Sequence, residues 1–427
     1  DRHRYGTTET NDLWAALSEA SGQPVGEMMD SWIWQPGVPV IDAHLDGDDL
    51  VLTQRRFSYD DSDDTVWQIP VALRVGDEVI RFTLGADPYR RPVGSSPVVV
   101  NAHGHGYFRV SYDPGLRSRL SSEVIAELPT LARYVLVDDA WAEVLAGNLE
   151  PIDYLGFVER MGHERHHGVW QSIIKGLSAV VRLVADDEDA SAVLAARIRS
   201  LVVPVLDELG DPCADDTTTT TRLRAMLLSA GAIFGGDTTT IERARQIYAR
   251  WAEDGSGEPN LVAAATVVVA ATGDDADYDA FVERSLTGAT PQIRLRHLHA
   301  LAEFPDRSQM ERTIAHAFGD QVKAQDAPYF LRVAIANRHH GALAWQGVQD
   351  HWDQAMERFP RPSIDRMIDT IVTLDRPDQV DQAAAFLVEH PVEQAAARID
   401  QILERQRVHA ALRARSARST IDQLRQG

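Results

Sequence analysis

Five consecutive residues, His163-Glu164-Arg165-His166-His167, form the pattern richest in chemistry. On a helix, histidines four apart share one face and can bind zinc, while a glutamate between them activates water. Asp186 lies downstream, where a third, carboxylate ligand is expected. A zinc hydrolase built on His163, Glu164, His167 and Asp186 is therefore one reading. Two features oppose it. Gly162 and Gly168 bracket the pentapeptide and place it at a helix boundary, because glycine weakens a helix interior. Asp186-Asp187-Glu188-Asp189 reads as a solvated acidic loop. The pentapeptide is better read as an exposed, polar helix start.

The remaining reactive residues are more scattered. His103-Gly104-His105-Gly106 could ligate a metal, but between two strands it reads more simply as a hairpin turn using glycine's positive φ. His297 with His299, and His339 with His340, lack partners at a diagnostic spacing. The single cysteine, Cys213, excludes an internal disulfide and has no neighbouring histidine to activate it as a nucleophile. No glycine-rich phosphate loop and no G-x-S-x-G elbow occurs. The tryptophans read as packing residues. The arginine-rich stretch from Arg398 to Arg425 reads as a solvated helix face or docking surface. By themselves these residues complete no active site.

The elements that must position them follow from period and composition. The 427 residues include 64 acidic and 42 basic side chains, a net charge of −22, which disfavours a nucleic-acid backbone as partner. No apolar run approaches the roughly 20 residues of a membrane span; Leu261 to Ala271 reads as a buried helix. Residues 1–36 carry two helices, the first ended by Ser21-Gly22 and the second by Gln35-Pro36-Gly37. Helices this short cannot bury their apolar faces on each other alone and need a further partner. From Val38 the period changes to 2, and about six or seven short strands, with an acidic loop at Asp60–Asp64, imply a small β-sandwich to Pro114. Beyond it, helices of about 12–18 residues recur in pairs, implying a HEAT- or armadillo-like superhelix. Thr217–Thr221 reads as a flexible loop within it. The expected divisions are 1–36, 37–114 and 115–427.

The order of these segments resembles one known junction. Tyr5-Gly6-Thr7-Thr8, Asp12-Leu13-Trp14, Ser21-Gly22 and Trp32 through Gln35-Pro36-Gly37-Val38-Pro39-Val40 look like the end of the catalytic domain in zinc aminopeptidases of the aminopeptidase N family. Trp67-Gln68-Ile69-Pro70 and Gly106-Tyr107-Phe108-Arg109-Val110-Ser111-Tyr112-Asp113 resemble the family's sandwich, with Phe108 and Ser111 as departures. Tyr154-Leu155, Trp170, Asn337-Arg338-His339-His340-Gly341-Ala342-Leu343-Ala344-Trp345 and Trp352 are similar to the helical domain of endoplasmic-reticulum aminopeptidases and tricorn-interacting factors.

The resemblance implies a multidomain fold: two helices left from the catalytic domain, a small antiparallel β-sandwich and a large all-α superhelix. The family's G-x-M-E-N loop, its H-E-x-x-H with W-x-N-E-G, and its oxyanion tyrosine all precede this junction. His163 to His167 falls after the sandwich, so the match is read as coincidence and no catalytic or metal residue is carried over. Residues contacting peptide are not assigned. Zinc is implied only for the parent enzyme's catalytic domain, with none in this segment. The implied partners are that upstream domain and peptide substrates, with no nucleic acid and no membrane. The start Asp1-Arg2-His3, without methionine, reads as a chain excised from a longer one, and a cytoplasmic setting is expected. The competing reading is a stand-alone helical-repeat scaffold that binds protein.

Overall fold

A computed structural model describes residues 6–59 and 65–426. Asp1-Arg2-His3 and the acidic loop Asp60–Asp64 lie outside the described residues. The chain forms two compact units. One holds the described residues through Leu149 together with Gly156–Glu164; the other holds Glu150–Leu155 and the chain from Arg165 onward.

The first unit opens with α1 (Thr10–Ser21) and α2 (Val25–Ile33). At α1 the Glu9 N–H donates to Asp12 at 2.9 Å, and Gly22 ends the helix at φ 68°. Neither helix contains a buried residue. Leu13 of α1 is 52% exposed and Trp34, just after α2, 77% exposed, while Trp32 of α2 packs against the sandwich core. Trp32 Nε1 donates to the Gln68 carbonyl at 3.1 Å and the Gln68 N–H to Ser31 Oγ at 3.0 Å, tying α2 to the sandwich.

Seven strands follow: β1 (Pro39–Asp46), β2 (Asp49–Arg56), β3 (Ile69–Val75), β4 (Glu78–Leu84), β5 (Tyr89–Pro92), β6 (Val98–Val100) and β7 (Arg109–Tyr112). They form two sheets, β5-β2-β1-β7 and β4-β3-β6. Period-2 alternation sends Ile41, Leu50, Leu52, Trp67, Ile69, Leu73 and Val110 into the layer between them. Gln54 stitches the sheets together, its amide donating to the carbonyls of Trp67 (2.8 Å) and Gly85 (2.7 Å). Two expectations change. The sandwich is not wholly antiparallel, because β7 runs parallel to β1. The His103–Gly106 segment is not a hairpin, because β6 and β7 belong to different sheets and the segment crosses between them. Glycine's role there stands: Gly104 has φ 73°, and the Asn101 side chain both accepts from the Gly106 N–H and donates to its carbonyl.

Three short or moderate helices follow in this unit: α3 (Pro114–Ser118), α4 (Ser122–Ala126) and α5 (Thr130–Ala146). Strand β7 lies at a sheet edge, where unpaired N–H groups invite unwanted pairing. Side chains of α5 occupy that edge. Asp139 accepts from the Val110 N–H at 3.0 Å and from Arg109 at 3.1 Å, and Glu143 accepts from Ser111 Oγ at 2.6 Å. Burial pushes the Asp139 carboxyl up to about 8 against the opposing pull of Arg109 and the Val110 N–H. The folded chain therefore keeps a proton there that the unfolded chain releases near pH 4. Stability from this group is greatest below pH 4 and declines as pH rises toward 8. Asp139→Asn is expected to flatten the pH dependence of thermal unfolding between pH 4 and 8; an unchanged slope would count against this origin.

The second unit is helical. After α6 (Pro151–Val158), which bridges the division in sequence, come α7 (His167–Leu183), α8 (Glu188–Leu209), α9 (Thr218–Ile233), α10 (Thr238–Asp254), α11 (Pro259–Ala271), α12 (Asp275–Thr287) and α13 (Pro291–Ala300). These are followed by α14 (Arg307–Phe318), α15 (Ala327–Ala336), α16 (Gly341–Asp350), α17 (Trp352–Arg358), α18 (Ile364–Ile368), α19 (Pro377–Glu389) and α20 (Ala396–Gln426). Alternate helices stack in succession, α7 on α9, α9 on α11, α11 on α13 and α13 on α15, while α10, α12 and α14 pair with their chain neighbours. This is the expected helix-pair stack. Helix α11, apolar all round, sits inside it with Leu261, Val262, Ala265 and Val268 buried.

Acidic and hydroxyl N-caps punctuate the stack: Asp187, Asp237, Glu258, Asp274 and Thr290 each accept from N–H groups of the first turn. Thr217–Thr221 is a helix start and not a flexible loop, because Thr217 Oγ1 accepts from the Thr220 N–H at 3.1 Å and opens α9. No described helix is long and apolar enough to cross a membrane.

Candidate functional site

The zinc-like pentapeptide is dispersed by its surroundings. His163 lies in an exposed turn, and helix α7 begins only at His167. Glu164 is 3% exposed, with Arg133 Nε donating at 2.6 Å and Nη2 at 3.1 Å to its two oxygens. A glutamate held this way cannot serve a metal-bound water. His166 caps α7, its Nδ1 accepting from the Gly168 N–H at 3.1 Å. Asp186 takes Arg376 Nη2 on both oxygens, at 2.5 and 2.6 Å. These residues do not fit a zinc ion, and no group of three potential ligands occurs among the described residues. His297 is a satisfied core residue between Ile293 O at 2.8 Å and Tyr248 OH at 3.0 Å, and burial lowers its imidazole to about 4. Cys213 is exposed, with Sγ 3.6 Å from Asp216.

The helical unit does hold one strongly polar cavity, of about 230 Å³, which sequence reasoning missed. Arg182, Arg338, Arg376 and Arg413 line it together with His339, Asp186 and Asp375. Arg182 comes from the last turn of α7. That helix is fixed by an apolar face of Val169, Trp170, Ile173, Leu177 and Val180, and by the close approach of Tyr154 to Gly176. An added Cβ at Gly176 would lie 2.3 Å from the Tyr154 hydroxyl.

Arg338 comes from the turn after α15. Asn337 builds that turn: its Oδ1 accepts from the N–H groups of His339 and His340, at 2.8 and 2.9 Å. Its Nδ2 donates to the carbonyls of Ala302 (2.8 Å) and Phe304 (3.2 Å). Gly341 follows because a Cβ would meet the Ile335 carbonyl oxygen at 2.3 Å.

The four arginines differ in their pairing. Arg413 donates to Asp375 at 2.7 Å and Arg376 to Asp186, so both are neutralised. Arg182 and Arg338 make no ion pair among the described residues. Arg182 donates to the Ala336 carbonyl, and Arg338 to the Ile233 carbonyl at 2.7 Å and His339 Nε2 at 2.9 Å. A guanidinium has five N–H donors, so several remain. Burial lowers the proton affinity of both, with Asp375 and Glu303 opposing it for Arg182 and Glu303 for Arg338. Burial also raises the Glu303 carboxyl, against the opposing pull of Arg182 and Arg338. Burial, then the Arg338 charge, hold His339 down to about 4, so it is neutral near pH 7. The result is a half-buried positive site with open donors, the arrangement that favours an anion.

The residues from 97 to 408 match the family model described as the ERAP1-like C-terminal domain. This chain belongs to that family. The ERAP1-like C-terminal domain thus takes in β6, β7 and the helices up to the middle of α20. The chain is also 26% identical to aminopeptidase M1-A of Oryza sativa subsp. japonica, over 96% of its own length and 49% of the relative's. It is 28% identical to the puromycin-sensitive aminopeptidase of Caenorhabditis elegans, over 84% of this chain and 40% of that protein. It is 24% identical to glutamyl aminopeptidase of Bos taurus, over 88% and 41%. The chain spans about half the length, or less, of these relatives. It is a C-terminal region of the aminopeptidase M1 type, as the junction motifs implied. The cavity arginines lie within the family domain, apart from Arg413, which follows the matched residues.

Proposed function

We propose that this chain is the non-catalytic C-terminal region of a zinc aminopeptidase that removes N-terminal amino acids from peptides. On this reading zinc is held by a catalytic domain upstream of residue 1, acting in the cytoplasm. Residues 1–36 end that domain, 37–114 form the sandwich and 115–427 the helical region that encloses the active-site chamber and gates peptide access. The exposed Leu13, Leu17, Ile33 and Trp34 support a partner there.

The observation that carries a peptide-handling role is the pair Arg182 and Arg338, half-buried, cationic and without an ion-pair partner among the described residues. An unmodified peptide always ends in a carboxylate, and a guanidinium fork matches a carboxylate's two oxygens. The cavity is therefore assigned to the peptide's C-terminal carboxylate. The test is fluorescence anisotropy of a labelled nonapeptide with a free C-terminus against its C-terminal amide. The free acid is expected to bind about tenfold or more tightly, since a hydrogen bond to a charged group contributes about 1.5–3 kcal/mol. Arg338→Ala is expected to erase that difference. Equal binding of acid and amide would refute the assignment.

A further inference from the structure

A second cavity, of about 250 Å³, lies in the helical unit between α12, α13 and the turn joining α14 to α15. Its apolar wall is Leu286, Leu295 and Leu298, and its polar rim includes Arg294, Lys323 and Asp326. The rim charges are uncommitted in a way that matters. Lys323 and Asp326 make no ion pair among the described residues, although they sit three residues apart in one turn. Arg294 uses one Nη on the Gly288 carbonyl at 2.7 Å. His316 also lines the cavity, and its Nε2 is buried without a hydrogen-bond partner. Such an atom is destabilising unless something polar meets it.

We infer that this cavity binds a free α-amino acid with an apolar side chain. Two cationic groups and one carboxylate on a single rim match a zwitterion: the ligand carboxylate on Lys323 and Arg294, its ammonium on Asp326. The leucine wall takes the side chain. The volume supports a ligand of this size, being smaller than the about 300–1,000 Å³ of drug-sized sites. The inference is independent of the role given to the arginine-lined cavity.

The experiment is calorimetric titration of the full chain with L-leucine, leucinamide and 4-methylpentanoate. The last two each lack one of the charges. Saturable binding of leucine is expected, weakened about tenfold or more for both analogues. Lys323→Met, at an exposed position that leaves the fold intact, is expected to weaken leucine binding by a similar factor. Asp326→Asn should do the same; where that variant fails to fold, the analogue series and Lys323→Met decide. Absence of saturable leucine binding, or equal binding of the three compounds, overturns the assignment. So does leucine binding lost in Arg338→Ala but kept in Lys323→Met, which would move the amino acid to the other cavity.

Discussion

Glu164→Ala is expected to destabilise the chain by about 3–5 kcal/mol, the usual cost of removing one partner of a buried ion pair. The Glu164 side chain is 1% exposed and Arg133 only 17%, so water cannot replace the lost carboxylate. Arg133 also donates to the Leu128 carbonyl, so its charge stays in place when its partner is removed. His163→Ala, at an exposed turn, is expected to change stability by no more than about 0.5 kcal/mol. Urea unfolding followed by circular dichroism separates the two outcomes. The contrast tests the zinc reading directly. A catalytic pentapeptide would show the opposite pattern, with Glu164 tolerant for stability and His163 required for bound metal.

Gly104→Ala is expected to cost about 2–5 kcal/mol, from two independent sources. At φ 73° the residue is left-handed, which costs a residue with a Cβ about 1–2 kcal/mol. The new Cβ would also sit 2.7 Å from the Leu131 carbonyl carbon and 2.8 Å from its oxygen. Backbone cannot swing aside as a flexible side chain can, and overpacking of this kind adds about 1–3 kcal/mol. Gly94 is the matched control. It has φ 51° with nothing within 4 Å of its built Cβ, so Gly94→Ala should show the conformational penalty alone. Equal losses in the two variants, read from urea midpoints, would show that the close approach to α5 contributes nothing.

The fold was legible where one short-range rule dominates. The switch from period 3.6 to period 2 near Val38 located the sandwich, and the all-apolar stretch from Leu261 located a buried helix. The weaker strand Tyr89–Pro92 escaped because Tyr-Arg-Arg-Pro on a sheet edge has no alternation to read. The parallel β1–β7 pairing escaped because it depends on residues far apart in sequence. The run of threonines misled for a different reason: low complexity outweighed the capping signal of Thr217.

The site was less legible. Histidines drew attention because their chemistry is compact and local, and each one followed here proved to be a cap, a core residue or an exposed group. The segment Asn337 to Gly341 is visible as a family signature, but the side chain it gives to the arginine-lined cavity is Arg338, which shares that cavity with Arg182 from another helix. Nothing in local spacing joins residues more than 150 positions apart. The acidic surplus repels a nucleic-acid backbone, yet several acids serve as helix caps, a use that formal charge does not reveal.

Helix α20 runs back against the beginning of its own unit. Arg413 donates to the carbonyls of Arg182 and Leu183, at 2.7 and 3.4 Å, and Arg425 to Asp187 at 3.0 Å, across more than 200 residues of chain. Repeat stacks ordinarily nucleate anywhere and propagate, each pair needing only its neighbours. This one also needs a distant element, because α20 must reach the end of α7 and the start of α8. During synthesis the end of α7 and the start of α8 lack these contacts until α20 has left the ribosome. Loop closure over that distance is slow relative to adding a neighbouring pair. The late step falls on the wall of the arginine-lined cavity, so that wall is completed only when the whole helical unit has been assembled.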